Sequence, residues 1–287
     1  MDRINIVKNQ LNSQKTAESS MNEEHSILVQ NAVFKDKTFK EIKIVTLNNQ
    51  KSLNALGKDF LNLIYNTLIK LDIDNETKVI ILTGAGKAFA AGADIKGISK
   101  NDYSFVARND WDFLPIENIY YHMNKPIIAA LNGFTFGGGF ELALACDILI
   151  ASDKASLAFP EHKLGLLPGA GGTQRLTRLM GYHKAMEYIL TTKNLKLEEA
   201  KNFGVINDIV PHDKLIESAV SMAVDISKFS LMSIIASKKS MKMAMETNLF
   251  GGLKAEKYIF QGLFSTEDKK EGVQAFIEKR IPIVKDK

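Results

Sequence analysis

The sequence predicts an α/β fold, a largely parallel sheet of short buried strands alternating with helices, followed by an all-helical C-terminal region. Three observations predict it. Apolar runs such as Val79-Ile80-Ile81-Leu82 are too short for a helix and end at a glycine, the signature of a strand buried on both faces. Apolar residues at helical spacing, Phe60, Leu61, Ile64, Leu68 and Leu71, fill the interval before that run. Beyond Pro211 strand patterns stop and only helical segments remain.

Taken in order, residues 1–25 are polar and poor in large hydrophobes. They carry Asp2, Glu18, Glu23 and Glu24, so they resemble neither a secretory signal nor an acid-poor transit peptide. The expectation is a disordered tail, with Met21 as an alternative start of translation. Ser26–Phe34 and residues 41–47 form a β-hairpin around Lys35-Asp36-Lys37. A helix spans 56–71, a strand spans 79–83 and ends at Gly84, and another spans 126–131 and ends at Asn132-Gly133. A helix follows Gly139, and a strand covers 147–151. After Pro211, residues 215–226, 230–245, 254–264 and 268–279 are helical. The expected organisation is a tail (1–25), an α/β core (26–211) and a helical region (212–287) folded over the core or over a neighbouring subunit.

Composition narrows the function classes. Hydrophobic residues make up 45% of the 287 and charged residues 24%, ordinary for a soluble globular protein. No apolar run approaches the roughly 18 residues of a membrane span. A net charge of +4 is too small to argue for nucleic acid, and suits mild attraction for an anionic substrate. The one cysteine, Cys146, lies in an apolar stretch and fits a reducing compartment, so a cytoplasmic location is expected. The five histidines have no metal-ligand spacing, and no metal is expected. Gly84-Ala85-Gly86-Lys87 fails the nucleotide-loop pattern at Ile81 and the dinucleotide pattern at Phe89, and Gly169-Ala170-Gly171-Gly172 fails at Gln174. No Gly-x-Ser-x-Gly elbow is present. ATP, NAD and serine-hydrolase chemistry thereby lose their strongest support.

The segment Gly137-Gly138-Gly139-Phe140-Glu141 follows a buried strand and opens a helix. Amides at such a helix start can receive an oxyanion, and Glu141, three residues beyond Gly138, could reach the atom beside a polarised carbonyl. Alone, the segment reads first as a glycine turn with an ordinary surface glutamate, since isolated glycine-rich turns are common. Three further segments bear on it: Ala90-Ala91-Gly92-Ala93-Asp94-Ile95-Lys96, Phe159-Pro160-Glu161 with Gly165 through Arg175, and Lys51-Ser52-Leu53-Asn54-Ala55-Leu56. Together, in this order, they resemble the crotonase superfamily, most closely its enoyl-CoA hydratases. The ending is similar too, from Thr266-Glu267-Asp268 to Glu278-Lys279-Arg280.

The resemblance implies a crotonase-like spiral of ββα units whose C-terminal helices assemble a homotrimer or homohexamer. It implies an oxyanion hole from the Ala93 and Gly138 amides, each such donor worth about 3 kcal/mol. It makes Glu141 and Glu161 the acid/base pair that adds water to a 2-enoyl-CoA in fatty acid degradation, with Gly169 approaching the site. Coenzyme A, part of the substrate and not a separate cofactor, would lie against Ala93, Asp94, Ile95 and Lys96. Lys51 and Leu53 would sit near its nucleotide, and Phe260 and Lys279 would reach it from a neighbouring subunit. For Lys51 and Lys96 a solvated side chain is the competing reading. The chain departs from the family at Asn49-Gln50, where Arg-Pro is frequent, and over residues 101–124. There Trp111, Phe113, Tyr120, Tyr121 and Met123 are expected to line the acyl pocket, with core packing as the competing reading, and acyl length stays open. An isomerase or thioester hydrolase is the alternative within the fold, and the paired glutamates argue against both. An RNA-binding relative would use Lys238, Lys239 and Lys242, a weak footprint that fits a solvated helix face better. No nucleic acid or membrane partner is expected.

Overall fold

The computed structural model describes residues 26–99, 102–108 and 114–287. The expected tail, Trp111 and Phe113 lie outside the described residues. Strands β1 (Ser26–Phe34) and β2 (Lys37–Asn48) pair antiparallel around Lys35 and Asp36, both left-handed in φ. Helix α1 (Lys58–Ile73) follows. Next come β3 (Val79–Gly84), β4 (Ala88–Ala90), α2 (Ile95–Ile98), α3 (Tyr103–Arg108) and α4 (Leu114–His122). Then β5 (Ile127–Leu131), β6 (Phe134–Phe136) and α5 (Gly138–Leu144) precede β7 (Ile148–Ser152), β8 (Ser156–Ala158) and α6 (Gly172–Met180). Helices α7 (Tyr182–Thr191) and α8 (Leu197–Asn202) lead to β9 (Asp208–Val210). Helices α9 (Leu215–Ser227), α10 (Leu231–Glu246), α11 (Leu249–Leu263) and α12 (Glu267–Ile277) complete the chain.

Strand, strand, helix is therefore the repeating unit. After the opening hairpin, each unit gives its first strand to a six-stranded sheet ordered β1-β2-β3-β5-β7-β9 and its second to a three-stranded sheet ordered β4-β6-β8. All pairings except β1 with β2 are parallel. The second strands have three residues each, too few for a period-two pattern, and the sequence pattern misses them, β9 and α6 to α8. The last two helices begin where side chains cap them: Asn248 accepts from the Gly251 amide at 2.9 Å, and Thr266 from that of Lys269 at 3.1 Å.

The six-stranded sheet is apolar on both faces because alternate residues face opposite ways. Val45, Leu47, Ile80, Leu82, Ile127, Ala129 and Leu149 join the larger core cluster, with α1 and α4 to α8. Ile42, Ile44, Val79, Ile81, Ile128, Ala130 and Ile150 face the other way, where Leu215, Ala219, Val220 and Ala223 of α9 cover them. The buried Asn54 pins the corner beside the smaller sheet. Its amide donates to the carbonyls of Ala88 (2.8 Å), Ala85 and Phe89 (both 3.2 Å), and its oxygen accepts from the Asn49 amide at 2.8 Å. This holds the 49–56 turn against 91–94, where the Leu56 amide donates to the Gly92 carbonyl at 2.7 Å.

The lysines of α10 are not a solvated face. Lys238 is buried, donating to Asp147 at 2.6 Å and to the Lys125 carbonyl at 2.8 Å, while Lys242 donates to the Tyr120 carbonyl. Only Lys239 is exposed. Asp147 also accepts from the Ile127 amide at 2.8 Å, so the Lys238–Asp147 pair ties α10 to β5 and β7. Lys238→Ala would leave the Asp147 charge without its cation. We expect it to lower the free energy of urea unfolding by about 2 kcal/mol, below the range for fully buried pairs because Asp147 keeps some exposure. An unchanged midpoint would refute this.

Candidate active site

Glu141 is a carboxylate only 1% exposed, in the first turn of α5. The helix leaves β6 through Gly137, whose φ of 50° suits glycine. Burial raises the Glu141 pKa, and two backbone donors oppose that rise. The amides of Gly172 (2.8 Å) and Ala170 (2.7 Å) both donate to Oε1. The charge of Arg175 acts in the same direction.

Glu161 opens the short turn Glu161–Leu164 after Pro160. Its Oε1 lies against Gly137, where an added Cβ would come within 2.6 Å. Its Oε2 is buried and, among the described residues, has no hydrogen-bond partner. Burial, reinforced by the Glu141 charge, pushes this carboxyl up to about 7. The two glutamates thus differ: one is gripped by donors that favour its ionised form, and the other is left to hold a proton.

Both line a cavity of about 750 Å³, together with Ala93, Gly138 and Gly169. Its remaining wall is mainly apolar, including Ile98, Tyr103, Val106, Leu164, Leu166 and Leu167. Gly138 is the first residue of α5, where an amide has no acceptor within the helix. Ala93 bridges to Leu56 in parallel fashion, using the Gly92 carbonyl and the Asp94 amide, which turns its own amide away from that pairing. Two backbone donors and two carboxyls around one apolar chamber can polarise a carbonyl and move protons beside it.

The other expected residues fall as follows. Asp94 caps α2, accepting from the Lys96 amide at 3.1 Å. Ile95 lines the cavity and is half exposed, while Lys51 and Lys96 are exposed. Leu53, left-handed in φ, accepts from the Ala91 amide at 3.0 Å. Phe260 is exposed on α11 with its ring against Phe264, and Lys279 is exposed just beyond α12; neither lines this cavity.

One expectation is corrected. Tyr120, Tyr121 and Met123 do not line the chamber. Residues 114–122 form α4, whose apolar face packs Ile116 and Ile119, with Met123 just beyond, into the main core. Tyr120 lies under Arg175 and Lys242, and Tyr121 is exposed. Tyr103 and Val106 of the same segment face the cavity instead. The sequence reading missed the amides of Ala170 and Gly172. Their only signal was the glycine run itself, which says nothing of where the amides point. Among the described residues no group of His, Cys, Asp and Glu side chains could hold a metal ion.

A family profile described as enoyl-CoA hydratase/isomerase matches residues 37–287. Over 241 residues the chain is 43% identical to the probable mitochondrial enoyl-CoA hydratase of Dictyostelium discoideum, covering 84% of this chain and 86% of that protein. Over 249 residues it is 42% identical to the mitochondrial enoyl-CoA hydratase of Pongo abelii, covering 85% and 84%. The solved structure of an enoyl-CoA hydratase subunit from Geobacillus kaustophilus is similar with a TM-score of 0.86 and 36% identity, across 93% of this chain and 100% of that one.

The raised Glu161 pKa has a stability consequence. The folded state holds this proton more tightly than the unfolded chain, so the associated stability is complete below the ordinary value of 4.5 and is lost as pH rises through about 7. Glu161→Gln removes that loss. It is expected to melt above the parent at about pH 8, with a smaller difference at about pH 5. Equal melting temperatures at both pH values would contradict the burial argument.

Proposed function

The chain belongs to the enoyl-CoA hydratase/isomerase family, and from that premise we propose how its paired glutamates work. The protein is an enoyl-CoA hydratase, adding water across the C2=C3 bond of a 2-enoyl-CoA to give the 3-hydroxyacyl-CoA. The observation that carries the mechanism is the contrast between the two carboxyls, Glu141 gripped by two amides and Glu161 unpartnered at Oε2 with its pKa raised.

In the proposed reaction, the thioester oxygen accepts from the Ala93 and Gly138 amides, which makes C3 electrophilic. A water between the glutamates attacks C3 and gives its proton to Glu141, while the electron pair moves onto the thioester oxygen. That pair then returns to C2, which takes the proton held by Glu161. The product has gained one water, and the carboxyls reset by exchanging a proton. Because the pair titrates together, the proton belongs to the dyad as much as to Glu161. Gly169 borders the chamber and is assigned to its water side. For coenzyme A the proposed contacts are Ala93, Asp94, Ile95 and Lys96 at the chamber, with Lys51 and Leu53 toward the nucleotide.

A homotrimer or homohexamer is proposed on the character of α11. None of its residues is buried, and it exposes Leu249, Phe250, Leu253, Tyr258 and Phe260. Phe260 and Lys279 are assigned to the nucleotide bound in a neighbouring subunit, since neither lines the cavity of its own chain. Fatty acid degradation in the cytoplasm is the proposed setting, in keeping with the lone buried thiol of Cys146. The inward-facing Lys238 and Lys242 remove the basis for an RNA-binding role.

Glu141→Gln and Glu161→Gln are each expected to keep CoA-ester binding and lose about 10²- to 10⁴-fold in crotonyl-CoA hydration. The double variant should fall well short of the multiplied losses, because both carboxyls act on one water. For the parent, kcat/KM should fall as pH rises through about 7, as Glu161 loses its proton, and Glu161→Gln should lack that limb. A folded Glu161→Gln enzyme with parent turnover would overturn the assignment. Light scattering should report three or six chains, and a stable monomer at micromolar concentration would exclude the proposed assembly.

A further inference from the structure

We infer that Arg175 is a positioning residue for Glu141, fixing through the Ala170 carbonyl the two backbone amides that grip the Glu141 carboxylate. The inference deepens the proposed hydration and rests on the reading of Glu141 as its base.

The geometry is a relay of three hydrogen bonds. Arg175 Nη1 donates to the Ala170 carbonyl at 2.8 Å. The Ala170 and Gly172 amides donate to Glu141 Oε1 at 2.7 and 2.8 Å. The Ala170 carbonyl belongs to the peptide unit between those two amides, so holding its oxygen sets the plane on which both donors depend. Gly171 makes room for this hold. Its φ is 100°, and an added Cβ would lie 2.3 Å from Arg175 Nη1. The guanidinium is fixed from its other side, with its carbon 4.6 Å from the centre of the Tyr120 ring. Of the carboxylates near Arg175, Glu141 feels its charge most and Glu117 less. The half-buried cation therefore acts on Glu141 twice, by orienting its donors and by its field. A lysine at this position would keep the field and lose the rigid fork.

The titratable and charged groups facing this relay are Glu161 across the chamber, Glu117, Tyr120 and Tyr121 from α4, Lys242 from α10, and Cys146 beyond α5. Burial raises the Glu141 pKa, and both the amide grip and the Arg175 charge lower it. Removing Arg175 weakens both opposing effects, so Glu141 would ionise at higher pH.

The test is steady-state hydration of crotonyl-CoA across pH by the parent, Arg175→Met, Arg175→Lys and Glu141→Gln enzymes. Melting temperature and assembly mass are measured in parallel. Arg175→Met is expected to lose on the order of 10- to 100-fold in kcat, as for a misplaced catalytic group, with KM nearly unchanged and the acid limb moved to higher pH. Arg175→Lys is expected to bring the acid limb part of the way back while kcat stays below the parent. A folded Arg175→Met enzyme with parent kcat and acid limb overturns the inference. So does a joint loss in KM and kcat that lysine does not improve. Where Arg175→Met does not fold, Arg175→Lys decides: lower kcat at unchanged KM supports the inference, and parent kcat or a raised KM overturns it. If the parent does not hydrate crotonyl-CoA, or Glu141→Gln keeps parent turnover, the underlying reading of Glu141 fails. If those hold and only the Arg175 variants behave as the parent, the positioning role alone is wrong.

Discussion

The buried Glu141 carboxylate is the constraint around which the rest of the chain is arranged. At 1% exposure it is withdrawn from bulk solvent, and an ionised group in that position must be held by donors that the protein supplies. Those donors come from a segment some thirty residues further along, the glycine run that opens α6. A site of this kind cannot be built on one element. It needs a helix start, a loop and a second helix start to meet within hydrogen-bond reach, and the strand–strand–helix unit brings them together. Each unit passes from the large sheet to the small one, so β4, β6 and β8 stand side by side and the segments that follow them open on one chamber.

The asymmetry between the two glutamates follows from the same construction. Glu141 sits inside a helix whose neighbouring loop offers amides, whereas Glu161 sits on a short turn pressed against Gly137, with one oxygen left unpartnered. Burial raises the proton affinity of both carboxyls beside this apolar cavity, and the amides on Glu141, with its charge acting on Glu161, set them apart. An acid and a base can then coexist near neutral pH. The rigid part of the pair is the base, and its rigidity originates in backbone groups that no side-chain substitution at Glu141 would reproduce.

Much of this was legible in the sequence. The buried strands announced themselves as runs such as Val79 to Leu82, and their two-sided burial is borne out by the split of Ile80 and Leu82 from Val79 and Ile81. Glu141 and Glu161 could be named because their segments, taken together and in order, resemble those of the enoyl-CoA hydratases; neither segment names its glutamate alone. What was not legible depended on long-range geometry. The three-residue strands are strands only because neighbouring units pair with them. Lys238 reads as solvated by residue type, although helical spacing sets it among Leu231, Ile234 and Met245; it can be buried there because Asp147, 91 positions earlier, receives it. Tyr120 looked like pocket lining until α4 carried it toward α6 and α10. Peptide-plane orientation, which decides what the Ala170 amide and carbonyl each do, has no signature in residue types at all.

The order in which the sheet acquires its cover has a consequence for synthesis. One face, made of Ile42, Ile44, Val79, Ile81, Ile128, Ala130 and Ile150, is covered by α9, which comes after every strand it protects. A chain emerging from the ribosome at roughly 5–20 residues per second spends on the order of ten seconds between releasing β3 and releasing α9. During that interval the surface grows strand by strand, and α9, which covers it, has yet to be released. The last part of the core to close is therefore also the part most exposed to misassociation while the protein is being made.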